Sequence, residues 1–215
     1  MLLQEERELV VEYGKKLVQF GLTEGTFGNL SCYDPDEGLM CISPSGMDYF
    51  KTNPEDVVVL DLDGKRIEGA AKPSSEVDMH RIFYKNRPDV RAVVHTHSVF
   101  CTTIACMHKE IPPIHYNVAY CGDKVPCIPY VTFGTQDLAE AVYARMGDEY
   151  NACLLGNHGM IAVGSSMSFA FDVAEQIEFV AHLYYNTLVA GDSGVPLSQE
   201  DLNYVLGKFG SYRQR

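Results

Sequence analysis

The feature that most constrains this chain is an apolar run, Ala92-Val93-Val94, that ends in His95-Thr96-His97. A run of this composition is a buried strand, and in a strand positions i and i+2 point to the same face. His95 and His97 can therefore aim both imidazoles at one point. Zinc takes imidazole nitrogen at about 2.0–2.1 Å and uses about three protein ligands where a position stays open for substrate, so the pair is two-thirds of such a set. The alternative is two partly buried histidines bonded to their neighbours, and the rest of the chain has to decide between these.

With 215 residues, 46% of them hydrophobic, the chain can fill one core and is short for two, so residues 1–215 are expected to form a single domain. No run reaches the ~20 apolar residues of a membrane span, and residues 1–7 lead into charge without a signal-peptide core. A cytoplasmic protein is the expectation. Seven cysteines without a C-x-x-C pair fit reduced thiols, with Cys101, Cys106 and Cys153 expected as packing residues. The net charge of −12, with no basic cluster, argues against nucleic acid. It also means that an anionic small molecule has to be held by local donors, backbone amides or a metal.

Residues 6–20 place Leu9, Val10, Tyr13, Leu17 and Phe20 at helical spacing, and Gly21 ends that helix. Strands are expected at 30–33 and 39–43 around an Asp-Pro-Asp-Glu-Gly turn, and at 57–62 and 65–68 around Asp63-Gly64. A helix over 76–85 follows Pro73-Ser74-Ser75, where a serine would serve as N-cap. Then come a strand (90–95), a small-residue helix (99–107), strand-like stretches (114–120, 125–131), a helix (136–146), two strands (153–155, 160–163) and helices at 168–189 and 199–208. The pattern predicts a three-layer α/β/α domain around a largely antiparallel or mixed sheet.

Three further observations favour a metal. His158 lies in the turn Gly156-Asn157-His158-Gly159 between two apolar strands, where the glycine allows close backbone approach and the histidine can project into a site at the sheet ends. Glu76, at a helix start, can bind a metal and later take a proton from a substrate carbon. Finally, Thr26-Phe27-Gly28-Asn29, Ser43-Pro44-Ser45-Gly46 and Pro73-Ser74-Ser75-Glu76 are short hydroxyl- and amide-rich segments suited to cradling phosphate. His80, His108, His115 and His182 lack such company; His80 and His182 fall on helices and read as surface or core residues.

The ordered set Gly28-Asn29, Ser43-Pro44-Ser45-Gly46, Pro73-Ser74-Ser75-Glu76, His95-Thr96-His97, Ile114-His115-Tyr116, Phe133-Gly134-Thr135, Asn157-His158-Gly159 and Lys208-Phe209-Gly210-Ser211-Tyr212 resembles the class II aldolase/adducin superfamily, and within it the fuculose-phosphate aldolases. The resemblance implies one Zn2+ per subunit on His95, His97 and His158 with Glu76 completing the resting set. It implies a phosphate site at Gly28, Asn29, Ser45, Gly46, Ser74 and Ser75. Glu76 and Tyr116 are its implied catalytic residues, with Tyr116 reaching a neighbouring subunit, and Phe133 and Tyr212 shape the aldehyde end. The implied reaction is reversible cleavage of a ketose 1-phosphate, foremost L-fuculose 1-phosphate, to dihydroxyacetone phosphate and L-lactaldehyde. The implied assembly is a homotetramer with sites at subunit interfaces.

Two residues depart from that pattern. Phe27 stands where a small hydroxyl residue is usual, and Asp123 sits in a Gly-Asp stretch similar to one that related ribulose-phosphate epimerases use for proton transfer; as an ordinary turn residue it needs no such role. An epimerase of L-ribulose 5-phosphate, another deoxyketose-1-phosphate aldolase or a dehydratase, and a non-catalytic adducin-like scaffold are the alternatives.

Overall fold

The computed structural model describes residues 1–212, with side chains for 1–209. One sheet of eight strands organises it, in the order β4-β3-β2-β1-β5-β8-β7-β6. The strands are β1 (Asn29–Asp34), β2 (Leu39–Ile42), β3 (Val58–Asp61), β4 (Arg66–Glu68), β5 (Ala92–Thr96), β6 (Cys127–Ile128), β7 (Ala152–Leu155) and β8 (Gly159–Gly164). Every pairing is antiparallel except β6 with β7, so the sheet is mixed and largely antiparallel as its tight turns predict. The central strands β5, β7 and β8 are buried along their whole length, which is why they read as unbroken apolar runs rather than as alternating ones.

The helices α1 (Gln4–Gln19), α2 (Val77–Asn86), α3 (Val99–Cys106), α4 (Gln136–Met146), α5 (Met167–Val189) and α6 (Gln199–Tyr212) complete the layers. α1, α3 and α5 cover one face and α2 and α4 the other. α1 docks through Val10, Val11 and Leu17, each burial contributing about 1.5–3 kcal/mol. No helix among the described residues is long and apolar enough to cross a membrane.

Four expectations need correction. Residues 114–120 are not a strand: Tyr116–Tyr120 is a 3-10 turn, capped where the His115 ring accepts the Asn117 amide hydrogen at 3.2 Å, after Pro112 and Pro113 have removed two ladder donors. The 125–131 strand shrinks to β6, because Pro126 and Pro129 bracket it at the sheet edge. No serine caps α2; Glu76 itself holds the N-cap position, and Ser74 Oγ accepts the Glu76 amide hydrogen in the preceding turn. All seven cysteines are free as expected, but Cys106 is exposed rather than packed.

Candidate metal centre and its cavity

Three neighbouring parts of the sheet end meet at one point. β5 supplies His95 and, just past its last residue, His97; the β7–β8 turn supplies His158; and the start of α2 supplies Glu76. One ligand atom from each of the four lies within 4.8 Å of every other. The approach depends on Gly159, where a Cβ would fall 2.4 Å from the Thr96 carbonyl oxygen and 3.1 Å from His97 Cδ2. Gly28 does the same on the other side. Its φ is +72°, and a Cβ there would lie 2.7 Å from the His95 carbonyl oxygen, so the loop carrying Asn29 rests directly on β5.

Hydrogen bonding settles which His95 nitrogen faces the centre. His95 Nδ1 donates to the Met160 carbonyl at 2.9 Å, so Nε2 faces the centre, 3.2 Å from Glu76 Oε2 and 3.0 Å from His97 Nε2, and in the neutral ring it is a lone pair. A lone pair and a carboxylate oxygen at that distance repel unless a proton or cation lies between them. Glu76 Oε1, 3.2 Å from His158 Nε2, is buried and receives no well-aligned hydrogen bond. Donors around a tetrahedral cation stand about 3.3 Å apart at zinc distances, close to these separations. The residues therefore fit a divalent metal.

Charge agrees with geometry. Burial pushes the Glu76 carboxyl up, but positive charge at His95 and His158 pulls it further down, well below the usual carboxylate range, and a cation held between them would act in the same direction. Burial, with His95 and His158 alongside, lowers His97 to about 4 against the opposing pull of Glu76, so its imidazole is a neutral ligand at physiological pH. The His97 ring stacks on Phe27, with centroids 5.5 Å apart.

The cluster opens on a cavity of about 430 Å³. Gly28, Asn29, Ser45, Gly46, Ser74 and Ser75 line it together with Phe27, Tyr130 and Phe133. The three hydroxyl-rich turns, far apart in sequence, thus border one cavity. No lysine or arginine is among the lining residues. Tyr116 is not there: it is 53% exposed and borders a separate cavity with Asn117 and Gln176. Tyr212 closes α6, and its side chain lies outside those described. Asp123 accepts a hydrogen bond from Tyr150 at 3.1 Å and does not line the cavity, as a turn residue would behave.

Sequence reasoning missed Tyr130 and Asn157, both in the cavity lining, and His80. Tyr130 carries no motif of its own. His80 did leave a signal, since it stands one helical turn after Glu76 and so shares its face.

Such a cluster beside a donor-lined cavity is a candidate catalytic metal centre. The family model described as Class II Aldolase and Adducin N-terminal domain matches residues 8–185. The 5-deoxy-D-ribulose 1-phosphate aldolase of Bacillus thuringiensis serovar kurstaki is 49% identical over 215 residues, 100% of both chains. The L-fuculose phosphate aldolase of Escherichia coli K12 is 39% identical over 207 residues, 96% of this chain and 94% of the relative. A solved structure of an L-fuculose 1-phosphate aldolase superposes with a TM-score of 0.94 at 38% identity, covering 98% of each chain. This chain belongs to the class II aldolase and adducin family.

Proposed function

We propose that the protein is a zinc-dependent aldolase that reversibly cleaves a terminally deoxygenated ketose 1-phosphate into dihydroxyacetone phosphate and a short aldehyde. The observation that carries this is Glu76, a carboxylate shared between two imidazoles at 3.2 Å each, at the boundary of metal cluster and cavity. A base that acts on carbon has to reach both the cation and the substrate, and Glu76 belongs both to the ligand cluster and to the cavity lining.

The cation would polarise the substrate ketone and stabilise the enolate charge left when the carbon–carbon bond breaks. In condensation Glu76 takes the proton from the dihydroxyacetone phosphate carbon beside the ketone; in cleavage it returns that proton. Ser45, Gly46, Ser74, Ser75 and Gly28 offer hydroxyls and backbone amides to the phosphate, which suits a cavity lined by no lysine or arginine in a chain of net charge −12. Asn29 adds only one amide hydrogen, because its other already donates to Glu76 at 2.9 Å.

Phe27, Tyr130 and Phe133 give the aldehyde end an apolar wall. A methyl terminus packs against these rings. The names of the two relatives above agree in this respect, since 5-deoxyribulose and fuculose phosphates both end in a methyl group. Tyr116, exposed and away from its own subunit's cavity, serves the aldehyde oxygen across a boundary in a homotetramer, and Tyr212 closes the aldehyde end. Seven free cysteines support a cytoplasmic location.

A substrate panel tests the reading. Zinc-loaded protein is given L-fuculose 1-phosphate, 5-deoxy-D-ribulose 1-phosphate and L-ribulose 5-phosphate, and free dihydroxyacetone phosphate is assayed. Release from one or both deoxyketose phosphates, with none from the pentose 5-phosphate, is expected. Epimerised pentose phosphate without release would mark an epimerase; no bound metal and no turnover would mark a scaffold.

A further inference from the structure

His80 has no part in the reaction as described, yet it is fully buried behind the metal centre and bonded through both ring nitrogens. Its Nε2 lies 2.5 Å from Asn29 Oδ1 and its Nδ1 lies 2.7 Å from Ser31 Oγ. Ser31 Oγ is in turn 2.6 Å from the Tyr84 hydroxyl, and Asn29 Nδ2 is 2.9 Å from Glu76 Oε2. Tyr84, Ser31, His80, Asn29 and Glu76 are all buried and form one continuous hydrogen-bonded line from the back of α2 to the metal cluster.

The direction of every bond follows from the last one. A carboxylate only accepts, so Asn29 presents its NH2 to Glu76 and its carbonyl to His80. His80 Nε2 therefore carries the hydrogen. Burial lowers the His80 pKa to about 3, with His95 adding to the fall and Glu76 opposing it, so the ring is neutral and Nδ1 is an acceptor. Ser31 then donates to Nδ1, and Tyr84 donates to Ser31. All four bonds point the same way, toward Glu76, and reversing any one leaves two hydrogens or two lone pairs face to face in a dry interior.

Without His80, an amide at Asn29 is free to turn over. In the turned state its carbonyl would face the Glu76 carboxylate, two acceptors in contact, and the carboxylate would have to move. We infer that His80 is a positioning residue that locks the orientation of the Asn29 amide and through it holds Glu76 where metal and substrate carbon meet. The inference rests on Glu76 being a metal ligand and base, as proposed above, but its test does not need aldolase turnover.

The test is a double-mutant cycle on zinc affinity, measured by competition with a chromogenic chelator, in H80F, H80Q, N29A and the two His80 variants combined with N29A. Glutamine can donate to Asn29 and accept from Ser31; phenylalanine can do neither. An outer-shell partner of a metal ligand typically governs affinity by about 10–100-fold. H80F is expected to bind zinc about 10-fold more weakly, H80Q within about 3-fold of the parent, and neither is expected to add to the loss in N29A, because His80 acts through that residue. Equal loss in H80F and H80Q, an unchanged H80F, or full additivity with N29A would overturn the inference. Should H80F fail to fold, S31A, which removes only the donor to Nδ1, takes its place with the same expected non-additivity. Deuterium exchange into dihydroxyacetone phosphate is followed in parallel, and H80F should lower kcat more than it raises KM. If zinc affinity follows the cycle while no variant, nor the parent, exchanges deuterium, the aldolase reading fails and the role of His80 stands.

Discussion

E76Q loses proton exchange at the dihydroxyacetone phosphate carbon by about 10²–10⁴-fold, the range a positioned general base supplies, while its affinity for the phosphate ligand stays within a few-fold of the parent. The split follows from where the two functions sit. The proposed phosphate donors are hydroxyls and amides from three turns that line the cavity, and Glu76, at the head of α2, is not one of them. Glutamine keeps the shape and can still accept from Asn29, but it has neither the negative charge that His95 and His158 stabilise nor the basicity to take a proton from carbon. The measurement is the rate of deuterium uptake from D2O into dihydroxyacetone phosphate, with ligand affinity followed separately. Undiminished exchange would remove Glu76 from the base role.

G159A damages the metal centre without touching a ligand. The added methyl would sit 2.4 Å from the Thr96 carbonyl oxygen and 3.3 Å from His95 Cε1, and the first of these is backbone that cannot swing aside. β5 and β8 have to separate where they carry His95 and flank His158, so the two sides of the ligand set move apart. Overpacking of this kind costs about 1–3 kcal/mol, or roughly 2–4 °C in Tm per kcal/mol for a chain of this size. Zinc affinity is expected to fall by at least about 10-fold, since a small displacement spoils a closed ligand geometry. G207A, where nothing lies within 4 Å of the new methyl, is the control and should leave both quantities unchanged or slightly raise Tm. Wild-type metal affinity in G159A would show that the close approach of β5 and β8 is not what assembles the site.

Much of this was legible along the chain because the decisive groups sit in short local patterns. His95 and His97 share a strand face, Asn157-His158-Gly159 needs the small residue that the observed approach of Gly159 to Thr96 requires, and the three hydroxyl-rich segments, each a plain turn when read singly, point to one site when read together. The sheet was legible in part for the same reason, since three of its pairings, β1 with β2, β3 with β4 and β7 with β8, are hairpins closed by tight turns. Errors came where a local pattern lost to something outside it. Residues 114–120 look extended by composition, but two prolines and a ring nitrogen of His115 turn them into a 3-10 segment. Asn29 reads as a phosphate donor from its turn, and only the packing of α2 on β1 reveals that its amide is divided between His80 and Glu76. Phe27 reads as a missing donor and proves to be a ring stacked on His97. Tyr130 reaches the cavity through tertiary folding alone.

Metal dependence of the cleavage tests the central claim most directly. Protein stripped by a chelator until no metal is found by elemental analysis is assayed for release of dihydroxyacetone phosphate from a deoxyketose 1-phosphate that the loaded protein cleaves, before and after zinc is restored. Loss of release on stripping and its return with about one zinc per chain is the expected result, because the four ligands can enclose one ion between them. Full cleavage by protein shown to be metal-free would contradict it.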